Sequence, residues 1–363
     1  MLTEAKEWIL ESVNKTAQIE LFGQEVNPET FAVAKSDFLI KGENAENIKF
    51  GSTLAHDQLF GEKYDYMLSN PPYGKEWKKD EKEIRKEAEI GFQGRFGAGL
   101  PRISDGQLLF LQTMLAKMRP SNGGSRIAIV MNGSPLFTGD AGSGESEIRR
   151  WIIESDLLEA IVALPNQLFY NTGIHTYIWI LTNRKKAHHK GKIKLINAVG
   201  LYEKMRKSLG DKRNYISDEQ IQKITDAVLD GEKPGFVQIH PNESFGYRKI
   251  TIERPLRDDK GKTLLEKDGK PKSDVDLRDY ENVPLGEDIR KYFKREVLPH
   301  VPNAWINEDK KYRDHKDDKI GKIGYEISFT RYFYEYKPLR PLEKISTEIK
   351  TLEDEISGTL KDL

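Results

Sequence analysis

The residue types best suited to chemistry lie in one stretch, Asp65-Tyr66-Met67-Leu68-Ser69-Asn70-Pro71-Pro72-Tyr73-Gly74. An apolar run, Tyr66 to Leu68, ends at Asn70-Pro71-Pro72. Proline has no backbone N–H and a fixed φ, so a strand cannot continue through Pro71-Pro72. The pattern predicts a buried strand whose carboxyl end opens into a rigid, polar, aromatic loop. In open α/β sheets, ligands sit outside the carboxyl ends of the strands. There the Asn70 amide, the carbonyls of Asn70 and Pro71, and the Tyr73 ring would share a small volume. Two acceptors and a stacking surface suit a planar ligand that carries an amino group. The alternative is an ordinary Asn-Pro turn, which is common. The strand context and the aromatic that follows favour a site.

The elements that must position this loop read as alternating helix and strand. Leu2, Ala5, Ile9, Leu10 and Val13 predict a helix over 2–13. Residues 17–22 read as a strand ending at Gly23-Gln24-Glu25. A second helix begins near Pro28 and stops at Gly42. Residues 47–51 form a short strand followed by Ser52-Thr53-Leu54, and the strand of the loop comes next. That order implies an α/β fold with parallel sheet. Residues 75–105 interleave Lys and Glu, then run Gly91-Phe92-Gln93-Gly94-Arg95-Phe96-Gly97. They read as a mobile loop beside the site, with Arg95 and Arg102 available for phosphate, or as a solvated surface insert.

Further on, residues 105–118 read as a helix, 126–131 as a buried strand and 132–146 as a Gly- and Ser-rich loop. A helix over 147–155 precedes strands at 158–164 and 175–181. About ten residues without a helix signal link those two strands, which predicts an antiparallel pair at the sheet edge. One more strand follows at 192–197, then a strongly basic segment at 204–214 and a helix at 218–229. A charged hairpin region spans 246–279, a helix 283–293, and an aromatic-rich stretch 327–336. In 341–363, Leu342, Ile345, Ile349, Leu352 and Ile356 follow coiled-coil steps. They predict a helix that packs on a partner, in this chain or in another subunit.

Composition narrows the chemistry. The 363 residues hold 58 basic and 58 acidic side chains, so nucleic-acid contact must come from local patches or from a partner. Without cysteine there are no disulfides, cysteine-zinc sites or thiol catalysis, which fits a cytoplasmic protein. No apolar run approaches the ~20 residues needed to span a membrane. The first helix carries acids and does not read as a signal peptide.

Three strand ends therefore form an ordered set: Glu25, Ser52-Thr53, and Asn70-Pro71-Pro72-Tyr73. An acid at the end of a nucleotide-binding strand accepts hydrogen bonds from ribose hydroxyls. A small polar residue at the next strand end meets an adenine edge, and the last loop meets a second ligand.

At these residues the sequence resembles a known family. Residues 65–74 look like the catalytic motif of amino-group methyltransferases that use S-adenosylmethionine. Four stretches together resemble the modification (methylase, M) subunit of type I restriction–modification systems: Phe22-Gly23-Gln24-Glu25 with Asn27-Pro28, Asn47-Ile48-Lys49-Phe50-Gly51, Leu68 to Gly74, and Ile148 through Ile174. The resemblance covers most of residues 1–200, is weak over 200–325, and returns around Ser328-Phe329-Thr330-Arg331-Tyr332. It implies a Rossmann-like methyltransferase sheet with a C-terminal α+β extension and a terminal helix. The implied domains are a catalytic domain over 1–200, a charged α/β extension over 201–325 and a helical tail over 326–363 for subunit contact.

It also implies site-specific DNA adenine methylation at N6. The catalytic residues would be Asn70, Pro71, Pro72 and Tyr73. Glu25, Ser52 and Thr53 would hold S-adenosylmethionine, and Phe169, Tyr170 and Arg95 would meet the substrate. Where the family often has Asp or Asn, Ser52 stands here. No metal or covalent enzyme intermediate is implied. The implied partners are DNA, a specificity (S) subunit, a restriction (R) subunit and a second M subunit, with no membrane. Met1-Leu2 resembles the residues just after the family's glycine-rich turn. The expectation is thus a sheet without its first, central strand and a cofactor site without that turn. A non-catalytic assembly module, or a methyltransferase of protein glutamine or RNA, are the alternatives.

Overall fold

Two helices, α1 (Leu2–Ser12) and α2 (Pro28–Ile40), pack with the parallel pair β1 (Gly23–Glu25) and β2 (Ile48–Phe50) around Leu21, Phe38, Ala45 and Ile48. The start of α2 is fixed locally. The Asn27 side chain accepts from the backbone N–H groups of Glu29 and Thr30, and Pro28 occupies the first turn. Past its end, Gly42 adopts φ +73°. The strand expected over 17–22 lies at Gly23–Glu25 instead, because only those residues meet a partner strand. Ile19 and Leu21 pack into the helix cluster.

This is a computed structural model, and it describes residues 1–120, 123–229, 233, 235–334, 336, 339 and 341–361. The main sheet has six strands: β3 (Tyr66–Ser69), β4 (Arg126–Asn132), β5 (Leu158–Ala163), β6 (Thr176–Thr182), β7 (Lys192–Asn197) and, beyond the separate ribbon of β8 (Glu203–Leu209) and β9 (Lys212–Tyr215), β10 (Val237–Pro241). Their order is β10-β7-β5-β6-β4-β3. The pairs β3–β4 and β5–β7 are parallel; the other three are antiparallel. The expected antiparallel pair is therefore present as β5–β6, but at the centre of the sheet. Every residue of β5 is buried, and β7 takes its second edge. Among the described residues, β1 pairs only with β2 and β3 only with β4, so each keeps one edge without a strand partner. The rings of Phe22 and Tyr64, just before those two strands, stand 5.5 Å apart.

The segment expected as a mobile loop is packed. Trp77, Ile84 of α3 (Glu81–Glu89) and Phe96 join Leu54 and Leu109 of α4 (Gln107–Ala116) in one buried cluster. Its apolar residues are sparse among the charges, but burying three large side chains outweighs the loss of chain freedom. After β4 come the short α5 (Ser134–Phe137) and the buried α6 (Gly144–Glu154). The segment 75–105 is thus packed against α4 and against Ser52-Thr53-Leu54 after β2.

Residues on both sides of position 200 belong to one compact unit, Met1–Ser328. The helix α7 (Asp218–Leu229) and β10 build directly on β7 through Ala227, Val237 and Ile196. A second sheet follows, in which β11 (Gly246–Glu253) pairs antiparallel with β12 (Asp279–Pro284), β13 (Trp305–Ile306) and β14 (Lys322–Tyr325). Since β12 occupies 279–284, the helix expected over 283–293 begins later, as α8 (Ile289–Tyr292), and widens into a π turn at Phe293–Val297. The α6 helix joins the two sheets: Arg149, fully buried, donates to the carbonyls of Tyr325, Pro135 and Thr138, and Arg150 pairs with Asp314.

The chain divides into two compact units, Met1–Ser328 and Phe329–Leu363. The second holds α9 (Phe329–Tyr332) and α10 (Leu342–Lys361). On α10 the apolar positions Leu342, Ile349, Leu352 and Ile356 are exposed. No described helix is long and apolar enough to cross a membrane.

Candidate active site

Strand β3 delivers the Asn70-Pro71-Pro72-Tyr73 loop at its carboxyl end, as its sequence predicts, but it is an edge strand with only Met67 buried rather than the buried strand expected, because among the described residues β4 alone pairs with it. Pro71 is buried, Asn70 is exposed and Tyr73 is half-buried. The Tyr73 hydroxyl donates to Asn70 Oδ1 at 2.6 Å, closing the loop on itself. This bond fixes the amide with its oxygen toward the ring. Burial pushes the Tyr73 phenol up to about 12, so the hydroxyl remains a neutral donor at physiological pH. Gly74 leaves the loop at φ +59°, a left-handed position suited to glycine.

The loop between β5 and β6 supplies the opposite wall. Phe169 and Thr172 form an isolated antiparallel bridge around Tyr170 and Asn171, a tight turn that projects the Phe169 ring. That ring meets Tyr73 edge-to-face, with centroids 6.4 Å apart and planes at 82°. Tyr170 is used differently: its exposed ring lies under Lys212 Nζ at 5.0 Å, beside the β8–β9 ribbon. Phe169 therefore meets the Tyr73 ring, while the Tyr170 ring is engaged by Lys212.

The other strand ends are also formed. Glu25 closes β1, and its Oε1 accepts from Asn27 N–H at 2.7 Å. Ser52 donates to Asp80 Oδ2 at 2.7 Å and accepts from Ala55 N–H at 3.2 Å. Asp80 is the residue that sequence reasoning missed. It stands just before α3, where an acid usually caps the helix, yet its carboxylate reaches a strand end 28 residues away. Only the folding of 75–105 over the site creates that contact.

Arg95 is not free for phosphate. Its Nε and Nη2 form a two-pronged pair with Glu87 at 2.8 and 2.6 Å, and its Nη1 and Nη2 donate to the carbonyls of Thr53 and Leu54 at 2.6 and 2.8 Å. Burial would raise the Glu87 carboxyl, but hydrogen bonds from Arg95 outweigh it and hold that group below the usual range. Arg95 is thus a clamp that fixes Thr53-Leu54 beneath the 75–105 segment. Arg102, in contrast, is half-exposed and donates to Ser134 Oγ at 2.9 Å. It lines a cavity of about 430 Å³ with Asn132, Thr138, His175 and Tyr177 at the carboxyl end of β4. Buried Gln107 braces that end through its amide, which bonds Asp105 and both the side chain and the backbone of Asn132.

These groups fit the nucleoside end of S-adenosylmethionine. Glu25 retains an oxygen without a partner among the described residues, suited to ribose hydroxyls. The Asp80 carboxylate brings a charged acceptor to the Ser52 strand end, where the Ser52 hydroxyl oxygen is already engaged by Ala55 N–H.

Fold and strand-end site together define a Rossmann-like methyltransferase. The profile of the N-6 DNA methylase family matches residues 1–240, and the chain belongs to that family. Among curated relatives, it is 30% identical over 239 residues to the type I restriction enzyme MjaVII methylase subunit of Methanocaldococcus jannaschii, covering 64% of this chain and 39% of that one. It is 28% identical over 210 residues to the MjaIX methylase subunit of the same organism, covering 58% and 35%. The HindI methylase subunit of Haemophilus influenzae is 30% identical over 213 residues, covering 58% and 44%. The chain thus spans less than half the length of these relatives. Its fold matches the type I restriction-modification system methyltransferase subunit from Streptococcus thermophilus with a TM-score of 0.55 at 24% identity, over 67% of this chain and 49% of that one.

Proposed function

We propose that the chain acts as the modification subunit of a type I restriction–modification complex and methylates adenine N6 in DNA. The observation that carries this reading is the Tyr73–Phe169 ring pair beside the acceptors of Asn70-Pro71. A stacked adenine cannot reach a strand-end loop, so the target base is swung out of the duplex. Its face stacks on Tyr73, and Phe169 walls the pocket. Its amine donates to Asn70 Oδ1 and to the Pro71 carbonyl. An amide oxygen has two lone pairs, so Asn70 keeps the Tyr73 hydroxyl on one and takes the amine on the other. Two acceptors on the amine raise the electron density of its nitrogen and aim its lone pair. Pro71 and Pro72 hold the acceptors rigid, which removes conformational freedom before the substrate arrives.

S-adenosylmethionine, when bound, supplies a methyl group made electrophilic by a sulfonium. Glu25 holds its ribose, and Ser52, Thr53 and Asp80 form the strand end that receives its adenine. The chain's own contribution is positioning, with neither nucleophile nor metal among the residues assigned. Sequence recognition falls to a specificity subunit, in keeping with a chain of zero net charge. DNA, a restriction subunit and a second modification subunit complete the proposed assembly.

Incorporation of radiolabelled methyl groups into plasmid DNA, with companion subunits present, tests the proposal. Label is expected in N6-methyladenine and is expected to be lost in Asn70→Ala. Absence of label from the native chain in that assembly overturns it. The unpaired edges of β1 and β3 favour one second reading, a non-catalytic assembly module. Calorimetry separates the two, because micromolar binding of S-adenosylmethionine by the 363 residues rejects the module.

A further inference from the structure

The basic segment after the main site forms the antiparallel ribbon of β8 and β9, turned at Gly210-Asp211. Its thirteen residues carry five cations, Lys204, Arg206, Lys207, Lys212 and Arg213, against two acids. Nearly all of β8 is exposed. Among the described residues, none of the five cations has a carboxylate within ion-pair distance. Structural ion pairs elsewhere in the molecule use their cations internally, as Arg95 and Arg150 do. On this ribbon Lys204, Arg206 and Lys207 are exposed, while Lys212 packs over the Tyr170 ring.

Two strands alone are marginal in water, so an exposed ribbon must be held by something else. Here it is held by the wall of the candidate site. Asp211 N–H donates to the Tyr170 carbonyl at 3.0 Å, and the N–H groups of Arg213 and Asn214 donate to the Gln167 carbonyl at 2.9 and 3.1 Å. The Asn214 amide donates to the Asn166 carbonyl at 3.0 Å. Gly210 sits at φ +62°, and a Cβ there would stand 2.6 Å from the Tyr170 carbonyl oxygen. Both the conformation and the close approach require glycine. The same turn of chain carries Phe169 against Tyr73. The ribbon's position is thus set by backbone bonds to the loop that forms the base pocket.

We propose that the β8–β9 ribbon is the arm that holds the phosphate backbone of duplex DNA beside the flipped adenine, with Lys204, Arg206 and Lys207 as its main contacts. The proposal rests on the reading of the site as a DNA adenine methyltransferase and adds to it the surface that keeps the duplex in place. A neutral chain needs a local patch to attract nucleic acid, and this one adjoins the pocket. Contacts to phosphate fix position without reading sequence, which suits a subunit whose recognition is delegated. An exposed ribbon of arginine and lysine also has the dimensions to lie along a groove.

The test uses the full chain, a fluorescein-labelled 30-base-pair duplex of arbitrary sequence, and a salt titration of the dissociation constant. Each phosphate contact contributes about 0.9 to the slope of log affinity against log salt. The variant K204Q/R206Q/K207Q is expected to flatten that slope by about 2 to 3 and to weaken binding at least tenfold at low salt. A control of equal charge change, K260Q/K262Q/K267Q, is expected to leave the slope unaltered. Circular dichroism establishes that the variants are folded. Gly210→Val, which lifts the ribbon from Tyr170 without changing charge, is expected to weaken binding as well. An unchanged slope in the triple variant, equal effects in the control, or no duplex binding by the native chain overturns the arm. So does loss of a protein partner with DNA affinity intact. The methyl-transfer assay above reads independently of these outcomes. Native methylation with an unchanged slope refutes the arm alone, whereas a flattened slope without native methylation refutes the proposed reaction and leaves the arm a DNA contact.

Discussion

Replacing Asp314 by Asn should destabilise the protein by at least about 2 kcal/mol at neutral pH, and the penalty should fade in acid. Asp314 is 2% exposed and Arg150 is 4% exposed. The carboxylate accepts from Arg150 Nη1 and Nη2 at 2.9 and 3.2 Å, and from the backbone N–H groups of Ile323 and Lys316 at 3.0 and 3.1 Å. Burial alone would raise its pKa. The Arg150 guanidinium and the two backbone donors outweigh burial and bring it from 3.8 down to about 2. A displacement of that size corresponds to about 2 kcal/mol of folding stability. Because the folded value is depressed, the contribution is complete above the unfolded pKa near 4 and is lost as the pH falls through about 2. The Asn variant keeps the shape but leaves Arg150 buried with only Glu154 and Glu147, at 3.0 and 3.6 Å. Losing one partner of a buried pair typically costs about 3–5 kcal/mol, which sets the upper end of the range. Urea unfolding at pH 7 and at successive values below pH 4, followed by circular dichroism, measures the difference. A variant within about 0.5 kcal/mol of the native protein at pH 7, or a penalty constant from pH 7 to pH 3, would refute the electrostatic account. The double variant R150M/D314L provides a further check, since well-packed apolar replacements of a buried pair are often near neutral.

Two more outcomes follow from the site. Tyr73→Phe keeps the ring but removes the bond to Asn70, so methyl transfer should fall by no more than about tenfold, the value of one hydrogen bond. Tyr73→Ala also removes the stacking surface and should cost a further ~10- to 100-fold in kcat/KM for DNA. Equal losses in the two variants would show that the ring does not stack on the base. Arg95→Lys cannot reproduce the guanidinium fork to Glu87, Thr53 and Leu54 and should cost about 2–3 kcal/mol. Trypsin should then cut within 75–105 well before the rest of the chain, and an unchanged digestion pattern would contradict the clamp.

The acceptor loop was legible because its determinants are local. Proline ends the strand, and Asn70 and Tyr73 are three residues apart. The Pro28 start and Gly42 stop of α2, five of the six strands of the main sheet and α7 were legible for the same reason, since each rests on short-range pattern, whereas β10 was not expected. Strand order was not. The hydrophobic pattern paired β5 with β6 but placed the pair at the sheet edge, whereas β7 covers the second edge of β5 and puts the pair at the centre. The basic segment at 204–214 was visible as charge, but only backbone bonds from Gly210's turn to Tyr170 and Gln167 bring it to the site. Arg95 and Asp80 show the same division. The sequence supplied an arginine suited to phosphate and an acid suited to a helix cap. Folding of 75–105 over the strand ends gave the arginine to Glu87 and two carbonyls, and the acid to Ser52. The sequence by itself determined which atoms can bind an amine, because that is local covalent chemistry. Which charged groups remain free to meet a ligand was decided only by the tertiary structure, because an ionic partner can come from any distance along the chain.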